Sequence, residues 1–255
     1  RTTSFLLCLL LTAAVGARLW AAPDTKRIGV LQERYADQMQ EGKYEDALAT
    51  LGALRALQPR SPRVAEWEGM TCFSLERWID AIVAFRRALE LGSSDPVVRQ
   101  MLCEALCKEA RKRLSDDDGE GAERLWEEAL AAAPGYAPTH YHRALAYHEV
   151  LGDYQKAIEG YRRAVDLAPE WAGPLLARGR AYAALGQSEL AVADYRAALR
   201  LAPDSAECQQ ELLGAFTASR DFAGAVECCA AQIQAAPTSA ASATWYGRRA
   251  DAHME

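Results

Sequence analysis

An alanine recurs at one register six times along this chain, as Ala47, Ala81, Ala122, Ala157, Ala191 and Ala225. The gaps are 34, 41, 35, 34 and 34 residues, so four lie within one residue of 34 and one carries a seven-residue insert. A fixed period of this size marks an array of stacked supersecondary units rather than one shared core.

Other columns run in phase with the alanine. Four residues on are Leu51, Phe85, Trp126, Tyr161, Tyr195 and Cys229, and seven on are Leu54, Ala88, Ala129, Ala164, Ala198 and Gln232. Small, large and small at spacings of four and three define one face of a helix. Twelve on, Pro59, Pro134, Pro169, Pro203 and Pro237 (Ser93 in the second unit) end that helix, because proline lacks an N–H and disfavours helix in the residue before it.

A second helix precedes each of these. In the fifth unit it runs from Pro174 to Leu185, with Gly179 allowing close approach, Tyr182 beside it and Gly186 closing it. Prolines near first helical positions recur as Pro62, Pro96, Pro138 and Pro174, and Asp95 is a natural N-cap.

Helix, turn, helix in 34 residues, with Gly179-x-x-Tyr182, Ala191-x-x-x-Tyr195-x-x-Ala198 and Pro203, resembles the tetratricopeptide repeat. The fourth unit matches through Leu151-Gly152-Asp153-Tyr154, Ala157, Tyr161, Ala164 and Pro169. Six repeats are expected, at 28–61, 62–95, 96–137, 138–171, 172–205 and 206–239. The resemblance implies an all-α, right-handed α-solenoid. The end repeats are the most degenerate, with Tyr35 and Leu213 where the fifth has Gly179. Residues 240–255 read as a capping helix or the first half of a seventh repeat.

The insert falls near 114–121, where Asp116, Asp117, Asp118 and Glu120 sit between two helices, and the first of those helices has room to run longer. A calcium loop needs alternating acidic ligands with a closing glutamate at fixed spacing, so the expected reading is a solvated acidic turn.

Residues 4–22, from Ser4 to Ala22, form the strongest apolar run and lie out of phase with the repeats. As a helix they span roughly 28 Å at ~1.5 Å per residue, close to a bilayer core of ~30 Å. They read as a single-pass membrane anchor with Trp20 and Arg18 at one interface, followed by a linker at 23–27. The rival is a cleaved signal peptide with Val15-Gly16-Ala17 as its small-residue site. The side on which the repeats lie stays open. Lys26, Arg27 and Arg34 after the segment point to the cytoplasm, and signal-like character points to the periplasm or a lumen.

Composition narrows function. Half the residues are hydrophobic, and a net charge of −6 gives no general attraction to nucleic acid. The seven cysteines include no Cys-x-x-Cys, and Cys72, Cys103 and Cys229 fall on core faces. Cys103 and Cys107 are one helical turn apart, with no histidine near in sequence. His140, His142 and His148 share a helix without forming a one-face ligand set, and His148 aligns with core-facing Tyr182. No nucleophile elbow, phosphate loop or zinc motif occurs, so no enzymatic activity, metal or cofactor is expected.

The resemblance implies a concave groove lined by the first helices. Mapped from the alanine column, the second and third repeats place Trp67, Met70, Phe73, Met101, Glu104 and Lys108 there, and the fourth and fifth add His142, Arg143 and Arg180. The large apolar members exceed what stacking requires, and the basic ones suggest a partner with apolar and acidic parts. Their alternative is packing on the neighbouring turn. The Lys and Asn pattern of chaperone-tail binders is replaced by Gln32 and Ala36, His142 and Ala146, and Leu176 and Arg180. The leading expectation is a membrane-anchored scaffold that binds a peptide or subunit of a membrane complex. The alternatives are an exported periplasmic assembly factor with its first 17 residues removed, and the C-terminal sensory region of a larger signalling enzyme.

Overall fold

Five residues before every alanine of the column, the backbone turns left-handed. The six positions are Gly42, Glu76, Asp117, Gly152, Gly186 and Arg220, with φ of 72°, 56°, 66°, 64°, 74° and 57°. One turn geometry therefore joins the two helices of every repeat, whichever side chain occupies it. Left-handed backbone costs a non-glycine residue ~1–2 kcal/mol, partly offset by the greater chain entropy glycine loses on folding. Glu76→Gly or Arg220→Gly should therefore stabilise the fold by about 0.5–1 kcal/mol, read as a rise in the urea midpoint. A fall in the midpoint would show that these side chains hold their turns.

The computed structural model describes residues 24–221 and 223–228. Residues 24–40 are helical (α1). Then follow α2 (Tyr44–Leu57), α3 (Pro62–Ser74), α4 (Trp78–Glu90), α5 (Pro96–Ser115), α6 (Gly119–Ala132), α7 (Ala137–Glu149), α8 (Tyr154–Leu167), α9 (Ala172–Ala184), α10 (Ser188–Leu201) and α11 (Ala206–Ala218). Residues 223–228 are helical (α12), and no strand occurs among the described residues. The anchor or signal segment at 4–22 and the capping segment at 240–255 lie outside the described residues. Of the expected linker at 23–27, residues 24–27 are already helical.

The seven-residue insert is two extra turns of helix. The other first helices α3, α7, α9 and α11 have 13 residues each, and α5 has 20. The acidic stretch after it is the turn itself. Asp117 takes the left-handed position, and Asp118 N-caps α6 by accepting the Gly121 N–H at 2.8 Å.

The described residues divide into two compact units at residues 109 and 110, within α5. In the first, α2 packs on α3 and α3 on α4. Glu68 of α3 is buried between Arg55 at 3.2 Å and Arg87 at 3.5 Å. Burial raises its carboxyl pKa, and the two guanidiniums oppose that rise. In the second unit α7 packs on α8, α8 on α9, α9 on α10 and α10 on α11, with α9 also touching α7 and α11. The first helices of successive repeats thus lie side by side.

All six column alanines are fully buried. Phe85, Trp126, Tyr161 and Tyr195 are buried as well, and burial of such side chains is worth ~1.5–3 kcal/mol each. Small residues let the helices of a repeat close on these rings. A Cβ on Gly69 would stand 2.5 Å from the Phe85 ring, and one on Gly179 2.5 Å from Tyr195. Repeat four has Leu145 at that place and makes the approach from the other helix. There Gly160 of α8 faces Ala144 of α7, and an added Cβ would stand 2.8 Å from the Ala144 Cβ.

Candidate functional site

Two of the six expected groove residues of the first unit, Trp67 and Phe73, pack on neighbouring rings. Trp67 of α3 stacks on Tyr35 of α1 at 5.1 Å, with the Arg63 guanidinium 5.1 Å from its ring. It packs against the cluster of Tyr35, Ala47, Leu51, Leu54 and Val64. The physical reason is Tyr35, whose large ring stands at the glycine register of repeat one and needs a flat partner. Trp67 thus joins the first two repeats, and its truncation would disturb packing. Phe73 meets Trp78 edge-on at 5.0 Å. Met70, Met101 and Glu104 are half-buried and Lys108 is exposed.

In the second unit α7, α9 and α11 frame a concavity of about 270 Å³. Its apolar surface comes from Tyr141, Leu145, Leu176 and Ala177, and its polar surface from His148, Glu149, Arg180 and Glu207. Tyr141 is fixed by Trp171 at 4.8 Å and Tyr161 at 5.8 Å, and lies beside His142 at 5.4 Å. His148 sits with Nδ1 3.3 Å from the Tyr161 hydroxyl and edge-on to Tyr154. Burial, helped by Arg180 and opposed by Glu149, lowers the His148 pKa, so the ring is neutral at physiological pH. Burial likewise pushes the Tyr161 phenol well above its usual value.

Arg180 lines this concavity, but its charge is already committed. It donates to Glu211 at 2.8 Å and Glu207 at 2.7 Å, tying α9 to α11. Arg143 lies on another stripe of α7, where it donates to Glu123 of α6 at 2.7 Å. Tyr147 also donates to Glu123. The acidic half of the expected partner rested on His142, Arg143 and Arg180, and both arginines have carboxylates of their own.

The sequence reading missed Tyr141 and Leu145 as groove lining, and treated Leu176 only as a departure from the chaperone clamp. The available signal was the pair Tyr141 and Leu145, large and apolar at a spacing of four with no role in the alanine register. Glu207 and Glu211 carried no signal, because they reach Arg180 from 27 and 31 residues away. Among the described residues no group of three or more His, Cys, Asp or Glu is placed to hold a metal, and no helix is long and apolar enough to cross a membrane.

Paired helices joined by one left-handed turn, with first helices side by side, define a helical-repeat protein with a groove. The tetratricopeptide repeat family matches residues 37–96, 107–170 and 172–205. The chain belongs to that family. Over 103 residues it is 31% identical to serine/threonine-protein phosphatase T of Trypanosoma brucei brucei, covering 40% of this chain and only 20% of the phosphatase. Among solved structures it is similar to a MamA protein, with 20% identity, a TM-score of 0.52, and coverage of 68% of this chain and 91% of that one. A MamA fragment from Desulfovibrio magneticus RS-1 gives 22% identity, a TM-score of 0.53, and coverage of 70% and 97%. At these identities the likeness establishes a shared fold.

Proposed function

We propose that this chain is a non-enzymatic scaffold, anchored to a membrane through residues 4–22, that holds a peptide or subunit of a membrane-bound complex. The observation that carries the binding reading is the concavity on α7, α9 and α11. At about 270 Å³ it falls below the ~300–1,000 Å³ of small-molecule pockets, and its size suits a side chain of a partner polypeptide. Tyr141, Leu145 and Leu176 receive an apolar anchor, and the neutral His148 ring offers one polar contact beside it. Arg180, clamped by two glutamates, sets the position of α11 against α9 rather than attracting an acidic ligand.

The test places a photo-crosslinking amino acid at Leu145, inside the groove, and separately at Leu190, which is 49% exposed on α10. The full chain is then irradiated in native membranes and purified in mild detergent. A discrete adduct from position 145 and none from 190 is expected, and the reverse pattern would refute the groove assignment. The anchor is tested in the same preparation. A chain lacking residues 1–22 should leave the membrane fraction with its helicity intact. An intact mass showing residues 1–17 already removed would favour the exported alternative.

A further inference from the structure

A second, larger cavity of about 630 Å³ lies between α6, α7 and α8. It uses a different stripe of α7 from the groove, with His140, Arg143 and Tyr147 rather than Tyr141, Leu145 and His148. From α8 it receives Lys156, Arg162 and Arg163, together with Glu159 and Asp166. Two of the four cations have partners, Arg143 with Glu123 at 2.7 Å and Lys156 with Asp153 at 3.3 Å. Arg162 and Arg163 form no ion pair among the described residues, although Glu159 and Asp166 share their helix.

At one corner of this cavity Arg143 and His140 lie beside Arg163. The Arg143 Nε is buried and has no hydrogen-bond partner. His140 holds only a long 3.4 Å contact to the Pro134 carbonyl. Its pKa is lowered by burial first and then by Arg163 and Arg143, with only the Pro134 carbonyl acting the other way. The two arginines thus act on the imidazole in the same direction as burial.

We propose that this corner binds a phosphate monoester, carried as a phosphorylated serine or threonine on a partner polypeptide. The source on a partner rests on the scaffold reading above; the phosphate chemistry stands on this cavity alone. A phosphate offers three terminal oxygens and up to two charges to the Arg143 and Arg163 guanidiniums and to the His140 ring once it is protonated. A carboxylate brings at most one charge, so it meets the same cations with less attraction. Arg162, next along α8, adds long-range attraction. The site is separate from the groove, so one partner can engage both through different parts of its chain.

The experiment titrates the full chain with blocked O-phospho-L-serine amide and follows the His140 ring signals by NMR. Blocked serine and blocked glutamate serve as comparison ligands. The charged groups around that ring are Arg143, Lys156, Arg162, Arg163, Glu159, Asp166 and Glu123. A saturable shift with phosphoserine is expected, with a rise in the His140 pKa on binding and no shift with serine. Arg163→Glu should weaken binding by about tenfold or more, while the exposed position of Arg163 leaves the melting temperature unchanged. If that variant melts early, Arg163→Gln is used instead and should still weaken binding severalfold. No saturable shift, equal affinity in the Arg163 variant, or glutamate binding as tightly as phosphoserine would overturn the proposal. The groove crosslink at position 145 does not depend on any of these outcomes.

Discussion

Asp194→Ala should cost about 3–5 kcal/mol of stability. Asp194 of α10 and Arg178 of α9 form a two-point bridge with both N–O distances at 2.7 Å. Their side chains are only 9% and 17% exposed, so water screens the pair little. Removing the aspartate leaves a guanidinium largely shut away from water, with only the more distant Asp166 as counter-charge. Arg178→Ala leaves a buried carboxylate and should cost as much. Replacing both, as Arg178→Met with Asp194→Leu, should return most of the loss, because the pair's attraction is largely offset by desolvating two charges. Urea unfolding followed by circular dichroism reads the loss, and hydrogen exchange should place it first in α9 and α10, since each repeat is held mainly by its neighbours. The exposed pair Arg77 and Asp80 is the comparison, and its loss should leave the midpoint within error. Single substitutions at Asp194 and Arg178 that behave like Asp80→Ala would remove the case for a buried bridge.

What the sequence made legible follows from which constraints act through side-chain chemistry. The alanine column was readable because a fully buried contact between helices accepts only small residues, so the constraint shows directly as identity. The left-handed turn five residues earlier is as regular in space and was read only at Gly186. Gly42, Gly152 and Gly186 fit it without strain, while Glu76, Asp117 and Arg220 fill it at a cost, so no residue type marks the column. The insert was readable as a length, and a longer first helix was one of its readings. Seven residues add two helical turns and leave the helix facing the same way, so α5 absorbs them without moving its register.

The candidate groove was only half legible, for reasons that are local in one case and distant in the other. Trp67 carried the right chemistry for a binding residue, but Tyr35 lay across from it and took its face. Arg143 and Arg180 appeared as available positive charge because Glu123, Glu207 and Glu211 lie between 20 and 31 residues away in the chain. Pairings of that range depend on how repeats stack, which a periodicity fixes only coarsely. Conversely, Gly160 drew no attention although it does in repeat four what Gly69 and Gly179 do in their repeats. The close approach of two helices is required, and which helix supplies the missing side chain is free.

That freedom makes the same substitution act with opposite sign at two glycines. Gly179→Ala should destabilise the chain by about 1–3 kcal/mol. The added methyl would stand 2.5 Å from one Tyr195 ring carbon and 2.8 Å from another. The ring cannot retreat, because Tyr195 is 1% exposed and packs among Leu175, Leu176, Ala191 and Ala198. Tyr195→Leu in the same chain should recover part of the loss, since a shorter side chain vacates the space. Gly214→Ala should instead stabilise by about 0.5–1 kcal/mol. Gly214 lies inside α11, an added Cβ there meets nothing within 4 Å, and alanine loses less chain entropy on entering a helix. Both are measured by urea unfolding against the parent chain. Opposite signs are required, for if Gly179→Ala also stabilised, the approach of α9 to α10 would be looser than a 2.5 Å contact allows, and the small-residue register would not be what spaces the helices of each repeat.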